Sequence, residues 1–90
     1  MSKKTFKKDP ESILDYSIDW SVWLNGDTIS VSSWTVPSGL TEGSDSFTDT
    51  TTILWLSGGT AGESYSVVNR IDTASGRRAD KTITIQCREK

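Results

Sequence analysis

"WLSGGTAGESYSVVNRIDTASGR", residues 55–77, decides how this chain folds. Its glycine-rich loop, residues 57–62, follows directly on four apolar residues, Ile53, Leu54, Trp55 and Leu56. Such a loop cradles a phosphate when it runs from a strand into a helix, whose first N–H groups hold the anion; the nucleotide-binding form adds a lysine and a hydroxyl. Here the loop has no lysine, and Tyr65, Val67 and Ile71 alternate with their neighbours at the two-residue period of a strand, with Asn69 in the same register. Gly58, Gly59 and Gly62 therefore read as positions of positive φ or close backbone approach between two strands. The loop is a turn.

The same alternation extends in both directions. Upstream, Leu14, Tyr16, Ile18 and Trp20 share one face, opposite Asp15, Ser17, Asp19 and Ser21, which describes a half-buried strand. Trp20, Trp23 and Leu24 also fit one helical turn, so the end of that strand is open between Trp20 and Val22. Asn25-Gly26-Asp27 is a turn. Residues 28–36 are β-rich, but Ile29 and Val31 have one parity and Trp34 and Val36 the other; a bulge near Ser32-Ser33 reconciles them. Leu40 and Phe47 are the expected core contacts of a short edge strand over residues 40–49. The apolar run at 53–56 suits a strand covered on both faces, or on one face with a partner chain on the other. Downstream, Ser75-Gly76 turns the chain, and Ile83, Ile85 and Cys87 line a last strand. Six or seven short antiparallel strands with turns every eight to twelve residues predict an all-β fold, a small immunoglobulin-like β-sandwich over residues 13–88. Residues 1–12, basic and ending near Asp9-Pro10, are expected to be an extended, flexible arm.

A chain of 90 residues is one small domain, and four Trp, two Tyr and two Phe supply large apolar area from few positions. The absence of histidine removes imidazole as a base or metal ligand, and the lone Cys87, of core parity, precludes an intrachain disulfide. No stretch has the length of a membrane span, and the basic start lacks an apolar signal core, so the expected setting is inside a cell or within a particle assembled there. Charge falls in blocks. Residues 1–8 hold four lysines and no acid, residues 9–69 nine acids and no base, and residues 70–90 six bases against three acids. Blocks of this kind either steer docking or neutralise one another across neighbouring strands.

No residue pattern stands out as catalytic, cofactor-binding or metal-binding. Asp15 and Asp19 lie on the polar face of an amphipathic strand, where solvated acids are expected, and "SDSFTDT", which holds Asp45 and Asp49, lacks the glycine and dense ligand spacing of a calcium loop. Four lysines beside an acidic body, with only Phe6 interleaved, make a poor nucleic-acid surface. What remains are candidates for protein contacts. Lys3, Lys4, Lys7 and Lys8 form the basic arm; Asp15 follows it; Trp23 is off the strand parity beside a turn; Asn69 and Arg70 are adjacent in one strand. Asn69 has the parity of its apolar neighbours, so it either hydrogen-bonds across the sandwich or faces a partner. Trp20 and Trp55 are read as core.

Several blocks, in order, carry a resemblance: "KDPESILDYSIDW", "WLNGDTISVSSWTVPSGLT", "DTTTILWLSGGTAGESYSVVNRI" and "TASGR". Over most of the chain, from about Lys8 to Ile85, the sequence resembles the bacteriophage fiber-tail adaptor proteins. The resemblance implies a non-enzymatic virion structural protein, made in the host cytoplasm and placed at the tail or neck. Its implied partners are other tail, neck or fibre proteins, in a symmetric homo-oligomeric arrangement, without nucleic acid or membrane. A capsid-surface decoration protein, or a glycan- or receptor-binding module of the same shape, is the alternative. The lysine-rich start and the ending "QCREK" depart from the family pattern.

Overall fold

A computed structural model describes residues 4–8 and 12–88, with side chains for Lys8 and residues 12–88. The fold is all-β. Seven strands, β1 (Lys4–Lys8), β2 (Leu14–Asp19), β3 (Ile29–Thr35), β4 (Leu40–Phe47), β5 (Thr51–Gly58), β6 (Ser64–Thr73) and β7 (Arg78–Cys87), are accompanied by one helical turn, α1 (Ser21–Leu24). They form two sheets, ordered β1-β7-β6-β3 and β2-β5-β4. Every pairing is antiparallel except β1 with β7, which is parallel.

The interior follows the pleat. Tyr16, Ile18, Leu54 and Leu56 from the three-stranded sheet meet Val67, Ile71, Ile83, Ile85 and Cys87 from the four-stranded one. Trp20 resolves the ambiguity between strand and helix by serving both. It keeps the inward parity of β2, its N–H donates to Thr50 O at 2.8 Å, and its carbonyl accepts from Leu24 N at 2.9 Å as α1 begins. Leu24, one turn on, is buried; Val22, between them, is 92% exposed, so the strand stops at Asp19. Asn25, in the left-handed region at φ 47°, closes the turn.

Three expectations about packing need correction. The parity change in β3 falls between Ile29 and Val31, earlier than Ser32-Ser33, so Val31 points out and Ser32 is drawn inward. Phe47 is 42% exposed, because β4 is an edge strand whose register slips between Glu42 and Asp45 and only Leu40 is buried in it. Trp55 is likewise 42% exposed: β5 turns Leu54 and Leu56 inward and leaves Trp55 on the outer face. In the segment expected to be an arm, Lys4–Lys8 is extended but paired along β7, from Lys4 opposite Ile83 to Lys8 opposite Cys87. The pairing covers N–H and C=O groups on the edge of β7 that would otherwise be open.

The loop at residues 57–62 joins β5 to β6, strand to strand. Gly59 sits there at φ +101°, and a Cβ on it would come within 2.3 Å of Cys87 Sγ. Gly62 has a similar φ of +88° with open space around it. Gly62→Ala should therefore cost only the backbone penalty of about 1–2 kcal/mol, while Gly59→Ala should add an overpacking cost of about 1–3 kcal/mol. Urea denaturation of the two variants measures the difference; equal losses would mean that Cys87 does not close the loop from below.

Candidate functional site

Among the described side chains, the residues expected to meet partners do not converge on one surface. Lys3 lies outside the described residues, and Lys4 and Lys7 are placed only as backbone positions of β1. Lys8 is buried, and its ammonium donates to Gly58 O at 2.7 Å, reaching from one sheet to the other. Arg70 lies on the outer face of the four-stranded sheet, with Nε and Nη2 donating to the two carboxylate oxygens of Asp80 at 2.8 and 3.2 Å. Asp15 is exposed on the outer face of the other sheet. Trp23 is at the end of the sandwich.

Asn69 is fully buried, with its side chain turned into the sandwich. Its Oδ1 accepts from Trp20 Nε1 at 3.0 Å and from Thr52 Oγ1 at 2.7 Å, and its Nδ2 donates to Ser33 O at 2.9 Å and Ser32 Oγ at 3.1 Å. Both lone pairs and both protons of the amide are used, so the side chain has nothing left to offer a ligand. The inward serine produced by the early bulge in β3 is one of its partners.

At the end of the sandwich, a cluster that the sequence does not single out forms around Arg77. Its guanidinium stacks 4.3 Å from the Trp23 ring centroid, Nε donates to Asp27 at 3.2 Å, and Nη2 donates to Leu24 O at 2.7 Å. Trp23 in turn meets Trp20 edge-on, with ring centroids 5.7 Å apart. Asp27 also accepts from the Ser75 hydroxyl and N–H. Hydrogen bonds from Ser75 above all, then Thr73, the Thr28 N–H and Arg77, hold the Asp27 carboxyl well below the usual carboxylate range. Asp72 and Asp80 are lowered by their partners Arg78 and Arg70. Such groups stabilise the fold above their unfolded pKa of about 4, and the contribution is lost as pH falls through the lower folded values. Thermal melts should therefore hold steady from neutral pH to about pH 4.5 and then decline. Asp27→Asn should be less stable at neutral pH and show a shallower acid decline. An unchanged decline would mean that Asp27 is not held as described.

Charge is divided between the sheets. The strands of the three-stranded sheet carry Asp15, Asp19, Glu42 and Asp45 and no base. Those of the four-stranded sheet carry Lys4, Lys7, Lys8, Arg70, Arg78 and Lys81 against Asp72 and Asp80. Within the second set, neighbouring strands neutralise one another, Arg70 pairing with Asp80 and Arg78 with Asp72 across β6 and β7. No ion pair joins Asp15, Glu42 or Asp45 to a described residue. Among the described residues, no group of His, Cys, Asp and Glu could hold a metal ion, and no helix is long and apolar enough to cross a membrane.

Two sheets of opposite charge around an apolar core that includes Trp20, with Trp55, Val31 and Phe47 left on the surface, define a small β-sandwich. Residues 8–86 match the family model described as podophage GP4 fiber-tail adaptor protein gp77, and the chain belongs to that family. The family name indicates a phage protein that joins fibre and tail, consistent with a structural role in the virion. A search of curated proteins finds no match.

Proposed function

We propose that this protein is a non-catalytic structural adaptor of a podophage virion, fixing fibres or neighbouring proteins at the tail or neck in several symmetric copies. The match over residues 8–86 carries the proposal. The strand order supports reading the sandwich as immunoglobulin-like, with β3, β6 and β7 in the places of C, F and G and β2, β5 and β4 in those of B, E and D. A rigid sandwich with open edge strands and a charged surface suits protein docking, and symmetric repetition lets modest single contacts add up through avidity.

Immunogold labelling of intact particles, with antibody raised to this protein, tests the reading. Gold at the tail or neck is the expected result. Gold over the head would replace the adaptor by a capsid decoration protein. Absence of label together with absence of the protein from disrupted, purified particles would remove it from the virion altogether.

A further inference from the structure

The outer face of the β2-β5-β4 sheet has a composition that the fold does not explain. Cross-strand register sets Asp15 directly opposite Trp55, Ser17 opposite Ile53 and Asp19 opposite Thr51. Directly opposed side chains on one face lie about 5 Å apart, so this is a contiguous surface. Trp55 is 42% exposed at its centre, Ile53 is half-buried beside it, and Ile13, just before β2, is more exposed still. On the other flank Gly43 of β4 lies against the Trp55 backbone, so no side chain from that position screens the indole. A strand with one solvated face ordinarily alternates apolar with polar residues. β5 instead carries four apolar residues in succession, two facing the core and two facing out.

We propose that this face is the docking surface for a lysine- or arginine-bearing segment of a different virion protein, with a cation of that segment over the Trp55 indole and its neighbours against Asp15. The inference rests on the adaptor reading and deepens it by naming surface and partner chemistry. Charge selects the occupant. No base stands in residues 9–69, so nothing on β2, β4 or β5 repels a cationic segment. An aromatic face beside a carboxylate is the arrangement in which Arg and Lys bind with both cation–π and ionic attraction. The outer face of a second copy's four-stranded sheet is a poorer occupant, because its arginines, Arg70 and Arg78, are already paired with Asp80 and Asp72.

The test replaces Trp55 by p-benzoyl-phenylalanine in protein that complements a phage lacking the gene, followed by ultraviolet crosslinking of purified particles and mass spectrometry. Val31, 52% exposed on the other sheet, is the comparison position. The expected result is an adduct from position 55, and none from position 31, with a basic peptide of another virion protein. Trp55→Ser and Asp15→Lys, each checked for an unchanged thermal melt, should each reduce copies per particle at least about tenfold, the scale of losing one hot-spot contact. An adduct with a second copy of this chain would overturn the proposal. So would retention of the free protein on host polysaccharide that Trp55→Ser abolishes, which would make the face a glycan site. Wild-type copy number in both variants with no adduct from position 55 would overturn the surface and leave the adaptor reading standing. Absence of the unsubstituted protein from particles would overturn both.

Discussion

Trp20→Ala should lower the unfolding free energy by about 3–5 kcal/mol, the largest loss expected from any single tryptophan. Trp20 is 1% exposed and sits where three separate forces meet. Its ring packs among the core residues contributed by both sheets and meets Trp23 edge-on, so truncation opens a cavity that flanking strands cannot close without breaking register. The Lys81 ammonium lies 4.8 Å from the ring centroid and would lose that π-face. Its Nε1 donates to Asn69 Oδ1, and the loss leaves a buried acceptor short of one bond. A domain of this size holds together by only about 5–13 kcal/mol, so the variant should melt roughly 15–30 °C lower. Trp55→Ala, on the outer face, should cost less than about 1 kcal/mol. Chemical denaturation of the two variants side by side checks the assignment; comparable losses would put Trp55 in the core.

That contrast marks what could be read from the sequence. Alternation at residues 14–20, 65–71 and 83–87 specifies strands directly, because each has one covered face and one wet one. The glycine loop reads as a turn for the same reason. At 53–56 both parities are apolar, and periodicity alone does not say which pair faces the core. The pairing of Leu54 and Leu56 across the sandwich decides it, and that is a tertiary fact. In β3, scoring by hydrophobicity puts Val31 inside and Ser32 outside, whereas the structure does the reverse, since an inward serine is acceptable where Asn69 supplies its hydrogen bond. β1 was hidden by its lysines. Its partner lies at the far end of the chain, and a parallel pairing that distant leaves no local signal. The charge division between sheets, by contrast, was present in the sequence, because all of β2, β4 and β5 falls within the base-free residues 9–69.

Asn69 offers the sharper test of the interior. An indole N–H can only donate, so the amide oxygen must face Trp20 and the amide nitrogen must face Ser33 O, which can only accept. The side chain thus links β6 to Trp20 and Thr52 on one side and to β3 on the other, with its orientation fixed by its partners. Asn69→Ala should cost about 2–4 kcal/mol, since it leaves the buried Thr52 hydroxyl without its acceptor and the part-buried Ser33 O without the amide donor, at about 1–3 kcal/mol each. The Trp20 N–H then keeps only its longer contact to Thr52 Oγ1. In a double-mutant cycle with Trp20→Phe, which removes the indole N–H and keeps an aromatic ring, the two losses should be coupled by at least about 1 kcal/mol. Additive losses would reduce Asn69 to a filler of space. Asn69→Asp gives a signature that mere packing cannot imitate. A carboxylate can accept from Trp20 and Thr52 but sets an oxygen against Ser33 O in place of a donor. That repulsion with burial, set against the pull of Lys81 across the pair, should raise its folded pKa above the unfolded value of about 4. The folded state then binds the extra proton, so this variant should gain stability as pH falls from 7 toward 5. The wild-type protein, whose Asp27, Asp72 and Asp80 are all lowered, should show no such gain over that range. A pH profile for Asn69→Asp parallel to that of the wild type would mean that the amide is open to water, and that the two sheets are not joined there by hydrogen bonds.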